Sequence, residues 1–119
     1  MPHVLVEGAC DCRTVWQMPA PRQIRDGDAV LKVANAFLAQ DERSVLLECL
    51  AIEGYLRQTF LVQVLPKHEG VLLRLLPLWM PEKTPGVVST LAWIARSIVD
   101  AFPGCRISTN NLGISTQPG

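Results

Sequence analysis

The sequence predicts an α+β fold, with two helices packed on a mainly antiparallel sheet in the order ββ-α-βββ-α-β(β). Three observations predict it. Between residues 44 and 76 apolar side chains alternate with others, as in strands joined by hairpins. Two flanking segments, 26–41 and 84–102, repeat their apolar residues at helical spacing. The chain has 119 residues, 49% apolar and 18% charged, which suits one domain over 1–119 and excludes disorder.

The first elements are the least marked. His3–Glu7 and Arg13–Met18 are expected to form a hairpin around Gly8–Cys12. Pro19-Ala20-Pro21-Arg22 is a short extended connector. A helix is expected after Asp26, which can cap it, with Asp28 in the first turn. Val30, Val33, Ala34, Phe37 and Leu38 then form one stripe, widened by Leu31, and the helix should stop near Gln40–Asp41.

Three strands follow, Ser44–Glu53, Leu56–Leu65 and Val71–Leu76. Gly54-Tyr55 suits a two-residue type II′ loop, which needs glycine first. That loop sets Glu53 against Leu56, and hence Val45 against Val64, Leu47 against Val62 and Cys49 against Phe60. A turn over Pro66–Glu69 would set Leu65 against Gly70, Val62 against Leu73 and Phe60 against Leu75. One face of the sheet is then an apolar ladder, and a slip by one residue would put Arg74 on it.

The second helix has stronger marks. Thr84 can cap it, Pro85 suits its first position, and Pro103-Gly104 ends it. Val88, Leu91, Ala92, Ala95, Ile98, Val99 and Phe102 form its stripe, with Val87, Trp93 and Ile94 off it. Cys105–Thr109 is a further strand, Asn110–Gly113 a turn, and Ile114–Thr116 a short returning edge. The run helix, three strands, helix, strand resembles the element order of small secretion chaperones and, loosely, of ferredoxin-type sandwiches. Element order of this kind implies no function.

The face opposite the ladder is a chequerboard. It carries Leu46, Glu48, Leu50 and Ile52, then Arg57, Thr59, Leu61 and Gln63, then Leu72, Arg74 and Leu76. Glu48 and Arg74 are expected to flank Leu61 across three strands. A solvated sheet face is mostly polar, so something should cover this one. A second copy of the chain is the expected cover, giving a homodimer, with Leu46, Leu50, Leu61, Leu72, Leu76 and Trp79 as its contacts. Trp79 lies in the crossover Leu76–Pro81, whose two prolines prevent regular pairing.

The expected function is a small non-enzymatic interaction module, of adaptor or chaperone type. The alternative is a small-ligand-binding protein or cofactor-independent enzyme. Its pocket would lie between sheet and helices or at the subunit interface, with Glu48, Arg57 and Arg74 as polar contacts. A cross-strand ion pair or an interface polar group is the plainer role for those three and for Glu53.

Other chemistries find little support. Eleven basic and eleven acidic residues cancel, so no nucleic-acid partner is expected. No phosphate-binding glycine loop occurs. Cys10, Cys12 and His3 are the nearest approach to a metal set, but the cysteines are one residue apart and lack a second pair. Neither metal nor cofactor is therefore expected. His68 falls in a turn beside Lys67 and Glu69, where a solvated role is the default, so no catalytic residue is assigned. No apolar run reaches membrane-spanning length, and the opening Met-Pro-His-Val-Leu-Val-Glu lacks the marks of a signal peptide. The expected setting is the cytoplasm, with all four cysteines reduced.

Overall fold

Seven strands form one antiparallel sheet that curves into a half-barrel, in a computed structural model that describes residues 1–114. The chain runs β1 (His3–Glu7), α1 (Cys12–Trp16), β2 (Arg22–Asp26), β3 (Ala29–Leu38), β4 (Val45–Glu53), β5 (Leu56–Lys67) and β6 (Gly70–Leu75). It ends with α2 (Pro85–Ala101) and β7 (Arg106–Asn110). Hairpins join β2 through β6 in sequence order, and β1 and then β7 complete the far edge. The α+β class holds in outline, but the element order is β-α-βββββ-α-β.

The largest correction concerns residues 26–41, which form no helix. Asp26-Gly27-Asp28-Ala29 is a hairpin turn with Gly27 at φ 59°, and Asp26 pairs with Ala29. β3 continues as a strand and bulges between Val33 and Asn35, where Ala34 has no partner on β4. The bulge shifts the alternation by one residue. Leu31 and Val33 face the core before it, and Ala36 and Leu38 pack there after it. The apparent helical stripe mixes the two faces, with Val30 and Phe37 outward, Val33 and Leu38 inward, and Ala34 at the bulge between them. With that helix gone, the likeness in element order to secretion chaperones goes too.

Residues 13–18 also differ from expectation. β1 has no hairpin partner there, because β6 and β7 occupy its two sides. The segment opens instead with the five-residue helix α1. Asp11 accepts the Thr14 N–H at 2.9 Å, and the Thr14 hydroxyl accepts the Asp11 N–H at 3.0 Å. This reciprocal cap holds the short turn in place.

The central hairpin has the predicted register, with Glu53 on Leu56 and Cys49 on Phe60. Gly54 takes φ 62° at the first loop position, as expected of its turn. The next hairpin is tighter than expected. His68-Glu69 alone make the turn, and Val62 pairs with Leu75, Val64 with Leu73 and Leu65 with Leu72. The register thus moves by two residues, which leaves every side chain on its predicted face. Arg74 lies beside Gln63 rather than Leu61.

α2 begins at the Thr84 cap and runs to Ala101. Its central stripe is Val87, Leu91, Ile94 and Ile98, all fully buried. Val87 and Ile94 therefore sit on the core line, and Val88 is only half-buried. These side chains belong to a single apolar cluster with Phe60, Leu73 and Leu75 of the inner sheet face. Of the expected last edge, residues 115 and 116 lie outside the described residues. Among the described residues no helix is long and apolar enough to cross a membrane.

Candidate functional site

The outer face of the sheet is where the structure departs from an ordinary solvated surface. Its inward neighbours Val45, Leu47, Cys49, Phe60, Val62, Val64, Leu73 and Leu75 are all buried. Alternation turns the residues between them outward. Leu46, Leu50, Leu61, Leu72 and Leu76 lie on this face and are half-buried by their neighbours in the sheet. Ile52 and Leu65 add to the same row.

The crossover from β6 to α2 shapes one part of this face. The Leu76 N–H reaches the Leu61 carbonyl at 3.0 Å, so pairing with β5 extends past the end of β6. The Trp79 N–H turns back to the Leu76 carbonyl at 3.0 Å. Further on, the Gln58 amide holds both backbone groups of Glu82. Its oxygen accepts the Glu82 N–H at 2.8 Å, and its nitrogen donates to the Glu82 carbonyl at 3.2 Å. The segment is therefore fixed at both ends, while Leu78 and Trp79 stand 92% and 63% exposed. Beneath it lies an open groove of about 210 Å³, lined by Glu48, Thr59, Phe60, Leu61 and Trp79.

The structure places Glu48, Arg57 and Arg74 apart in the hydrogen-bond network. Glu48 accepts the Asn35 amide at 2.8 Å. The Arg74 Nε–H donates to the Gln63 side-chain oxygen at 3.0 Å. Arg57 is exposed opposite Ile52. Among the described residues no hydrogen bond or ion pair joins these three to one another. The cross-strand ion pairs expected of them are absent among the described residues. The pairs that form are Arg13 with Glu42 at 2.6 Å and Arg106 with Glu7 at 2.9 Å.

Glu53, on the inner side, is the carboxylate with the firmest local role. It accepts the Thr84 hydroxyl at 2.6 Å and the Gly86 N–H at 2.7 Å. A negative group there satisfies an orphan donor of the first turn of α2 and suits its positive end. A Cβ at 86 would land on that carboxylate, so any larger residue there would displace the Glu53 side chain from this contact. Nothing local in the sequence marks this contact, because it joins positions 33 apart.

The thiols are core groups. Cys10, Cys12, Cys49 and Cys105 are all free and buried. Cys10 points to the Val6 carbonyl on β1 and Cys12 to the Val64 carbonyl on β5, so the two diverge. Burial, and then the neighbouring Cys105, push the Cys10 thiol up to about 12. Burial chiefly drives Cys49 up to about 12, with Arg22 opposing it and the nearby Glu48 charge adding to it. A thiol held protonated is a poor nucleophile and a poor metal ligand. Among the described residues no group of three or more His, Cys, Asp or Glu side chains assembles around a common point.

Arg22 was not singled out by its sequence context. Its guanidinium lies 5.6 Å from the centre of the Trp93 ring and donates to the Pro19 carbonyl at 2.6 Å. Its buried Nε has no partner among the described residues, and burial lowers its pKa. It joins β2 to α2 at the open side of the half-barrel, a packing role with a cation–π contribution.

Comparison with protein-family models, curated proteins and solved structures finds no match.

Proposed function

We propose that the protein is a small non-enzymatic interaction module whose outer sheet face is covered by another protein surface. A single observation carries this reading. The face is lined with half-buried leucines and bordered by a crossover that is tied at both ends yet holds Leu78 and Trp79 in solvent. Ordered apolar side chains displayed in this way mark contact surfaces. The groove beside Trp79, at about 210 Å³, is smaller than the roughly 300–1,000 Å³ of small-molecule pockets. Its lining also brings no second polar charge to Glu48. Both points favour a protein surface over a small ligand.

When only this chain is present, a second copy is the occupant, and the protein forms a homo-oligomer. Light scattering across micromolar concentrations should show that assembly. Leu61→Glu should abolish it while leaving the circular dichroism spectrum intact. A wild-type monomer throughout, or an assembly indifferent to Leu61→Glu and Leu72→Glu, would sink the homo-oligomer. The cytoplasmic location belongs to the same proposal, since four free thiols suit a reducing compartment.

A further inference from the structure

The neutral total charge conceals a strong separation. Of the eleven cations, six lie on the outer sheet face: Arg25, Lys32, Arg57, Lys67, Arg74 and Arg106. Of the eleven carboxylates, only Glu7 and Glu48 lie there. Glu7 is taken by Arg106, and Glu48 accepts an amide from Asn35. Among the described residues Arg25, Lys32, Arg57 and Lys67 have no carboxylate partner. The remaining carboxylates sit chiefly in turns and loops, such as Asp28, Asp41, Glu42 and Glu69.

We propose that the physiological occupant of this face is an acidic, apolar polypeptide segment of a different protein. The inference rests on the interaction-surface reading above and names its partner. The leucines and Trp79 offer an apolar floor, and Lys32, Arg57 and Arg74 stand on it at separated places. A partner with carboxylates interleaved among large apolar side chains matches both features. A second copy matches only one. Two-fold pairing of this face sets one patch of excess positive charge against another, and like charges across an interface are costly. Salt therefore acts in opposite directions on the two occupants. Screening strengthens self-association of a basic face and weakens its union with an acidic segment.

The test uses the full chain and a labelled synthetic peptide of Glu and Leu in helical period, read by fluorescence anisotropy. A matched peptide with Lys in place of Glu is the control. The acidic peptide should bind, and its affinity should fall by about 10-fold between low and physiological salt. Arg57→Glu with Lys32→Glu should weaken it by at least about 10-fold, with the melting temperature checking that the fold persists. The Lys peptide should not bind. Failure of the acidic peptide, equal binding of the Lys peptide, or indifference to the double reversal overturns the proposal. So does tighter binding of a single-stranded oligonucleotide or an anionic vesicle, which would make the face a general polyanion surface. If the acidic peptide fails but Leu61→Glu still splits a homo-oligomer, the acidic partner is wrong and the interaction surface stands.

Discussion

Phe60 and Leu61 are neighbours in β5, yet they belong to different environments. Phe60 is fully buried beside Cys49 of β4, in the apolar cluster that the inner sheet face shares with α2. Leu61 shares the outer face with Glu48 and the Trp79 groove. The two faces of one strand differ in purpose. The inner face is selected for filling space and carries almost no freedom. The outer face mixes leucine with arginine in a way that no core would tolerate and no plain solvent surface requires. The largest test of this contrast is Phe60→Ala. It should cost about 3–5 kcal/mol by leaving a cavity where α2 and the sheet meet. A thermal or urea melt would measure it, and a cost near 1 kcal/mol would mean the inner layer is loosely packed.

Glu53 is the exception that sharpens the contrast, since it is a carboxylate on the inner side. Its two short contacts to Thr84 and Gly86 fix where α2 begins. Glu53→Ala should cost about 1–3 kcal/mol, because it strips a half-buried helix end of its acceptor. Glu53→Gln should recover part of that, since the amide oxygen can still accept one bond. Equal losses for the two variants would show that the charge, not the hydrogen bonding, dominates.

How far these faces were legible in the sequence depended on the regularity of the alternation. β4 and β5 alternate without a break, and Gly54 fixes their loop, so the register could be read to the residue. α2 could be read from Thr84, Pro85 and Pro103, which act locally. β3 could not. Its bulge at Ala34 shifts the apolar phase, and residues of both faces together pass for a helical stripe. The contrary signals were there, in Asp26-Gly27 as a hairpin turn and in β-branched Val30 and Val33. The candidate face was legible because it follows from parity in β4 to β6. The charge separation across it was not. Arg25 and Lys32 reach that face only once β2 and β3 are known to be strands. The contact of Glu53 with α2 and the neighbouring Cys10 and Cys105 depend on tertiary closure and leave no local trace.

Alkaline pH probes the buried thiols, and of these Cys49 lies on the inner sheet face. Cys49 is fully buried, and burial raises its pKa from 9.0 to about 12. Its neutral form is native, so its contribution to stability is whole below about pH 9. As the pH rises, the unfolded thiol ionises first, the unfolded state binds fewer protons, and stability falls from about pH 9 towards 12. By pH 10 the loss from this group should be about 1 kcal/mol. Melts of the wild type and of Cys49→Ala between pH 7 and 10 would show it as a shallower slope in the variant. Parallel slopes would mean that Cys49 has water access the fold does not show.

The smallest expected effect is the most informative about the outer face. Leu61→Ala removes a half-buried side chain whose outer side meets only the open groove beside Trp79. The isolated chain should lose less than about 1 kcal/mol, several-fold below the cost at Phe60. That gap is what a surface reserved for contact predicts, because the missing burial is supplied only when the face is covered. The melt should be run at low protein concentration, where assembly adds nothing to stability, and again at high concentration, where mass action does. A cost that grows with concentration places Leu61 in the contact. A cost of 2 kcal/mol or more at every concentration would make the outer leucines part of the core itself, and the distinction between the two faces of β5 would fail.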